Sequence, residues 1–228
     1  MAAYDATVPV TLTRIVAALE KTYGPMRPEV TDPFEMIVME NVAYLVDDAR
    51  RRETFKRLRR AIGITPQAIL KHSAAEIAAV IADGGMKPEM RAEKVLECAR
   101  LAARGVTTLR KFPGVGEPLA DRILLFAGSK VTLAPDSNAL RVLLRLGYGA
   151  ESKNYAASYR SVLNATNGEL RDADFAQRAH LLLRRHGQEL CKRTAPRCER
   201  CPLRDVCAWY RKWSAGVPPA PIGRPARS

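Results

Sequence analysis

Acidic residues are scarce in this chain. Across 228 residues, 24 Asp and Glu face 37 Lys and Arg, a formal net charge of +13. Such an excess argues against a basic partner and favours a polyanion, of which nucleic acid is the commonest soluble example. A generally arginine-rich composition gives the same number, so charge alone assigns no partner. Long apolar runs are also missing. None approaches the length of a membrane-crossing helix, and the first residues show no charged-then-apolar leader, so a cytoplasmic, nucleoid-associated protein is expected. Period-two alternation is absent before the middle of the chain, as is any repeat of solenoid length. An all-α fold is therefore expected.

What is present is helical punctuation. Leu12, Ile15, Val16, Leu19 and Tyr23 have amphipathic spacing, and Gly24-Pro25 ends that helix. Asp32-Pro33 starts a second helix, whose apolar residues Phe34, Ile37, Val38, Val42, Leu45 and Val46 predict that it runs to about Asp47. A charged helix follows from Arg50 to Ile62, and Thr65-Pro66 opens another. Ser73 with Glu76 forms a capping box, Gly84-Gly85 stops the helix it begins, and Pro88 starts a longer one. Asn154–Asn167 and Ala173–Leu190 complete the set, and four prolines in the last 14 residues predict a flexible tail over 214–228.

The chain is organised around residues 109–138. Phe112-Pro113-Gly114-Val115-Gly116 breaks a helix, and Leu119–Phe126 resumes one. Glycines at a helix entrance let the backbone approach another molecule closely with its N–H groups outward, an arrangement that favours phosphate. Arg110, Lys111 and Arg122 add positive charge there. Further on, Asp136 precedes the apolar-periodic run Ala139–Arg145, where its simplest role is a helix N-cap.

Four of the five cysteines lie between positions 191 and 207, spaced C-x6-C-x2-C-x5-C: Cys191, Cys198, Cys201 and Cys207. Thiols so close read as metal ligands, and spacing alone leaves tetrahedral zinc and a thiolate-held iron–sulfur cluster both open. Lys192, Arg193, Arg197, Arg200 and Arg204 crowd the same loop, a basic surface suited to phosphates. The fifth, Cys98, sits on an apolar helical face as a core residue.

Pro113-Gly114-Val115-Gly116, followed about twenty residues later by Asp136-Ser137-Asn138 and Arg141-Val142, resembles the helix–hairpin–helix and Gly/Pro…Asp signature of the endonuclease III superfamily of DNA glycosylases. His186-Gly187-x3-Cys191 with Pro196-Arg197-Cys198-x2-Cys201-Pro202-Leu203-x3-Cys207 resembles that family's 4Fe–4S loop. The resemblance spans roughly residues 30–210 and is faint before Lys87. It implies a two-lobed all-α fold with a cleft between the lobes. Residues 30–135 would form one lobe, and 1–29 with 136–213 the other. It also implies a 4Fe–4S cofactor on the four cysteines and a monomer acting on double-stranded DNA that carries a damaged or mispaired base. Asp136 would then be the catalytic carboxylate. Lys111, Gly114, Gly116, Arg122, Asn41, Arg193, Arg197 and Arg200 would bind DNA, with Glu40, Tyr44 and Pro118 near the substrate pocket.

Two departures qualify this expectation. Bifunctional members carry a lysine nucleophile where this chain has Pro118, so base excision without strand cleavage is expected. A family stretch containing glutamine is here Met39-Glu40-Asn41-Val42-Ala43-Tyr44, and the adenine glycosylase's catalytic glutamate falls at Ile37. A lyase using another amine, a non-catalytic iron–sulfur damage sensor and a zinc-binding module stand as alternatives.

Overall fold

A computed structural model describes residues 10–216 of the chain; most of the proline-rich tail lies outside the described residues. The described residues form helices joined by short turns: α1 (Leu12–Tyr23), α2 (Pro33–Asn41), α3 (Asp48–Ala61), α4 (Pro66–Ile69), α5 (Ala74–Val80), α6 (Pro88–Ala103), α7 (Glu117–Phe126), α8 (Ser137–Leu146), α9 (Tyr155–Thr166), α10 (Ala173–Glu189) and α11 (Ala208–Ser214). The caps explain most of these starts. Thr11, Asp32, Asp47, Thr65, Ser73, Asp136, Asn154 and Asp172 each accept a first-turn N–H through the side chain, satisfying donors that a helix otherwise leaves open. Ser73 and Glu76 complete the reciprocal capping box. Among the described residues the extended structure amounts to one isolated parallel bridge, Tyr44 to Gly85.

The chain divides into two compact units, Val30–Ile123 and the combination of Met1–Glu29 with Leu124–Ser228. The contiguous unit packs α2–α6 around Val38, Val42, Phe55, Leu58, Ile69, Ile77, Ile81, Val95 and Ala99. The discontinuous unit packs α1 and α8 against α10, with Leu12, Ile15, Leu19, Leu140, Leu143, Phe175 and Leu182 at its centre. Leu12 N–H also donates to Glu169, and Arg178 pairs with Glu20 at 3.2 Å, so α1 is held by residues far along the chain.

The second helix is shorter than its apolar pattern predicts. It ends at Asn41 rather than near Asp47. The reason is tertiary. Tyr44 N–H donates to Gly84 O at 2.8 Å, drawing residues 42–46 out of the helix, and Leu45 turns through φ +57°. Arg91, 2% exposed, seals this junction by donating to the carbonyls of Val42, Ile81, Gly85 and Met86. A Cβ on Gly84 or Gly85 would lie 2.4 or 2.2 Å from a backbone oxygen, so the Gly84-Gly85 pair is required by close backbone approach as well as by its turn.

Candidate nucleic-acid interface and cysteine pocket

The hairpin begins in the 3-10 turn Leu109–Lys111 and closes with Val115 N–H donating to Phe112 O. Phe112 and Val115 are buried and anchor it from below, leaving Arg110, Lys111, Gly114 and Gly116 exposed. Gly114 adopts φ +79°, and a Cβ there would meet Asn41 Oδ1 at 2.9 Å. Gly116 differs: the nearest atom to its built Cβ is Pro118 Cδ at 3.9 Å, ordinary contact.

Asn41, expected at the DNA surface, is 6% exposed. Its side-chain amide donates to Ile37 O at 3.0 Å and to Pro113 O at 2.9 Å, so it braces the hairpin against α2. Burial and these bonds occupy it internally. Glu40 lies between two guanidiniums, Arg122 at 3.1 Å and Arg51 at 3.5 Å, which binds α2 to α7 and α3. Arg122 is thus committed to an ion pair and only partly exposed. Tyr44 is 39% exposed and stands beside the left-handed Leu45, 64% exposed. Pro118 occupies the first turn of α7, where its missing N–H costs nothing.

Asp136 caps α8. Its Oδ1 accepts from the N–H groups of Asn138 and Ala139 at 3.0 and 2.9 Å, and its Oδ2 accepts from Arg184 Nε of α10 at 2.9 Å. Two residues earlier Ala134 holds φ +48°, a region that L-residues enter at a cost of ~1 kcal/mol. The buried His180 of α10 donates from Nδ1 to the Ala134 carbonyl at 2.9 Å and fixes that turn. Burial pushes the Asp136 carboxyl up. Arg184 first, then His180 and the hydrogen bonds from Ala139 and Asn138, outweigh burial and hold it below the usual carboxylate range. The Asp136 side chain keeps 22% of its surface exposed, enough to meet a ligand.

The same helix pair carries the cysteine loop. A Cβ on Gly187 would come within 2.6 Å of Asn138 O, so only glycine lets α10 cross the start of α8 this closely. Arg141 spans the crossing, donating to Asn138 Oδ1, Gly187 O and Cys191 O at 3.0, 2.8 and 2.8 Å. Beyond it, Cys191, Cys198, Cys201 and Cys207 line one pocket with Arg145, Leu190, Trp209 and Tyr210. Among the described residues, no three His, Cys, Asp or Glu side chains converge tightly enough for a single metal ion. Arg145 is 5% exposed. It donates to Lys192 O at 2.8 Å and to the Cys191 sulfur at 3.3 Å, and its Nε has no protein partner. A buried guanidinium aimed at thiols is electrostatically suited to a negatively charged group among them. Around the loop Arg197 and Arg200 are exposed and Arg193 is partly exposed.

Arg184 is the site residue that the sequence did not mark. Its signal was the run Arg184-Arg185-His186, where a charged residue on the inward side of α10 needs a partner. Arg145 and Arg91 were likewise hidden among ordinary helix charges.

The chain is 24% identical over 200 residues to endonuclease III of Thermotoga maritima, covering 84% of this chain and 90% of that one. It is 30% identical over 146 residues to the adenine DNA glycosylase of Mus musculus, covering 62% of this chain and 28% of the longer relative. The fold superposes on that of a trapped endonuclease III–DNA covalent intermediate with a TM-score of 0.71 and 22% identity, over 90% of this chain and 99% of the other. No protein-family model matches the chain. The chain is thus similar in sequence to endonuclease III and to an adenine DNA glycosylase, and it shares the fold of endonuclease III.

Proposed function

We propose that this protein is a DNA glycosylase of base excision repair: it binds double-stranded DNA, takes a damaged or mispaired base out of the stack and hydrolyses its N-glycosidic bond. The observation that carries this reading is Asp136, an ionised, partly exposed carboxylate held rigidly at the start of α8. An anion so placed stabilises the positive charge that develops on the sugar as the C1′–N bond breaks. The bonding pair leaves with the base, which takes up a proton, while water supplies hydroxyl to C1′ and gives up its proton to the carboxylate or to solvent.

Exposed Lys111, Gly114 and Gly116 of the hairpin and Arg193, Arg197 and Arg200 of the cysteine loop supply phosphate contacts, which position a duplex without reading its sequence. Pro118 offers no amine, so the product is an intact strand with an abasic site. Cys191, Cys198, Cys201 and Cys207 hold a 4Fe–4S cluster, a reading supported by their shared pocket, by the Arg145 guanidinium beside them and by the resemblance of their loop to that of endonuclease III. Bound there, the cluster supplies a fixed charged centre that organises the basic loop.

Asp136→Asn tests the reading. Asn caps a helix about as well as Asp, so fold and DNA affinity should persist while excision falls ~100-fold or more. Unchanged base release in this variant would remove Asp136 from the chemistry.

A further inference from the structure

We propose that Arg184 is a positioning residue for base excision: its guanidinium keeps the Asp136 carboxylate anionic and aims its Oδ2. This inference rests on the glycosylase reading above. The geometry divides the carboxylate's two oxygens between different tasks. Oδ1 is used by the helix, accepting the N–H groups of Asn138 and Ala139. Oδ2, the oxygen left for chemistry, is fixed by Arg184 Nε at 2.9 Å, with Asn138 Nδ2 more distant at 3.4 Å. Arg184 and Asp136 sit on different helices, and the close crossing at Gly187 holds those helices together. Both side chains retain about a quarter of their exposure, 26% for Arg184 and 22% for Asp136.

Charge makes the same point. The groups facing Asp136 are Arg184 and His180 from α10, Asn138 and Arg141 from α8, and Tyr155 from α9. His180 already spends Nδ1–H on the Ala134 carbonyl. Arg141 is spent on Cys191, Gly187 and Asn138. Tyr155 is neutral at working pH, with its hydroxyl pushed up to about 12 by burial and by the Asp136 charge itself. Arg184 is therefore the permanent cation in direct contact with the carboxylate. Without it, burial would drive the carboxyl toward its protonated form, which cannot stabilise a cationic sugar.

The test uses Arg184→Gln and Arg184→Lys in the full chain. The Asp136 carboxyl is titrated by carbon-13 NMR without DNA, and single-turnover excision is followed across pH. In Arg184→Gln the carboxyl midpoint and the acidic limb of excision should both move up by ~1–3 pH units, the usual effect of an adjacent cation. Arg184→Lys should restore most of the shift, since the charge remains while the aim is loosened. Affinity for undamaged duplex and its salt dependence should not change, as they would if Arg184 were a phosphate ligand. An unmoved carboxyl midpoint in Arg184→Gln would overturn the proposal, as would excision at neutral pH equal to or above that of the wild type. If the midpoint moves but the wild type releases no base from any lesion, the hold of Arg184 on Asp136 stands and the glycosylase reading falls.

Discussion

The two hairpin glycines should behave differently when each is replaced by alanine. At Gly114 the backbone lies at φ +79°, where an L-residue costs about 1–2 kcal/mol. The added Cβ would sit 2.9 Å from Asn41 Oδ1, inside the range where something must move. Asn41 cannot yield freely, because it is buried and donates to both Ile37 O and Pro113 O. Displacing it weakens at least one buried hydrogen bond, worth about 1–3 kcal/mol when a partner is left unsatisfied. Gly114→Ala should therefore destabilise the protein by about 2–4 kcal/mol. Gly116→Ala meets nothing closer than 3.9 Å and needs no left-handed backbone, so about 1 kcal/mol or less is expected, mostly from a poorer helix start. Urea unfolding with unchanged slope measures both. Duplex affinity supplies the second readout: Gly116→Ala should bind more weakly while remaining folded, since its methyl stands where a phosphate would approach. Equal stability losses for the two variants would refute this account of the hairpin.

Replacing Cys198 by Ser should abolish the visible absorption and iron content of anaerobically purified protein, whereas stoichiometric zinc on four thiolates in the wild type would contradict the cluster. Charge reversal at Lys111 or Arg197 should weaken damaged and undamaged duplex alike and flatten the salt dependence, measured by fluorescence anisotropy. Borohydride should trap little covalent complex on abasic DNA, because Pro118 supplies no amine; efficient trapping would point to another amine. Arg91→Met should destabilise by about 3 kcal/mol or more in urea unfolding, since it leaves several buried carbonyls unpaired.

Local chemistry made much of the fold legible. Caps such as Asp32, Thr65, Ser73, Asn154 and Asp136 are short-range devices, and the residues that close them lie within three positions. The length of α2 was not legible, because what ends it is a partner forty residues away, Gly84. Asn41 illustrates the same limit at the site. A polar residue in a motif stretch suggests an external ligand, and only the fold reveals the Pro113 carbonyl that claims it. The ion pair of Asp136 with Arg184 spans 48 positions and two helices. No spacing rule reaches that far, whereas the four cysteines announce themselves because a single loop must gather them.

The packing of α1 against α10 has a consequence for the order in which the protein assembles. Glu20 is paired with Arg178, 158 positions later, and Leu12 with Glu169, 157 positions later. At ~5–20 residues per second of synthesis, α1 leaves the ribosome roughly 8–30 s before its partners exist. The contiguous unit Val30–Ile123 is complete well within that interval and can acquire its core first. The first helix thus spends its early life with Ile15, Val16 and Leu19 uncovered, a substrate for chaperones or for misplaced contacts. Ribosome-arrested chains ending near residue 150 should be cut by protease within α1 and resist it between α2 and α6.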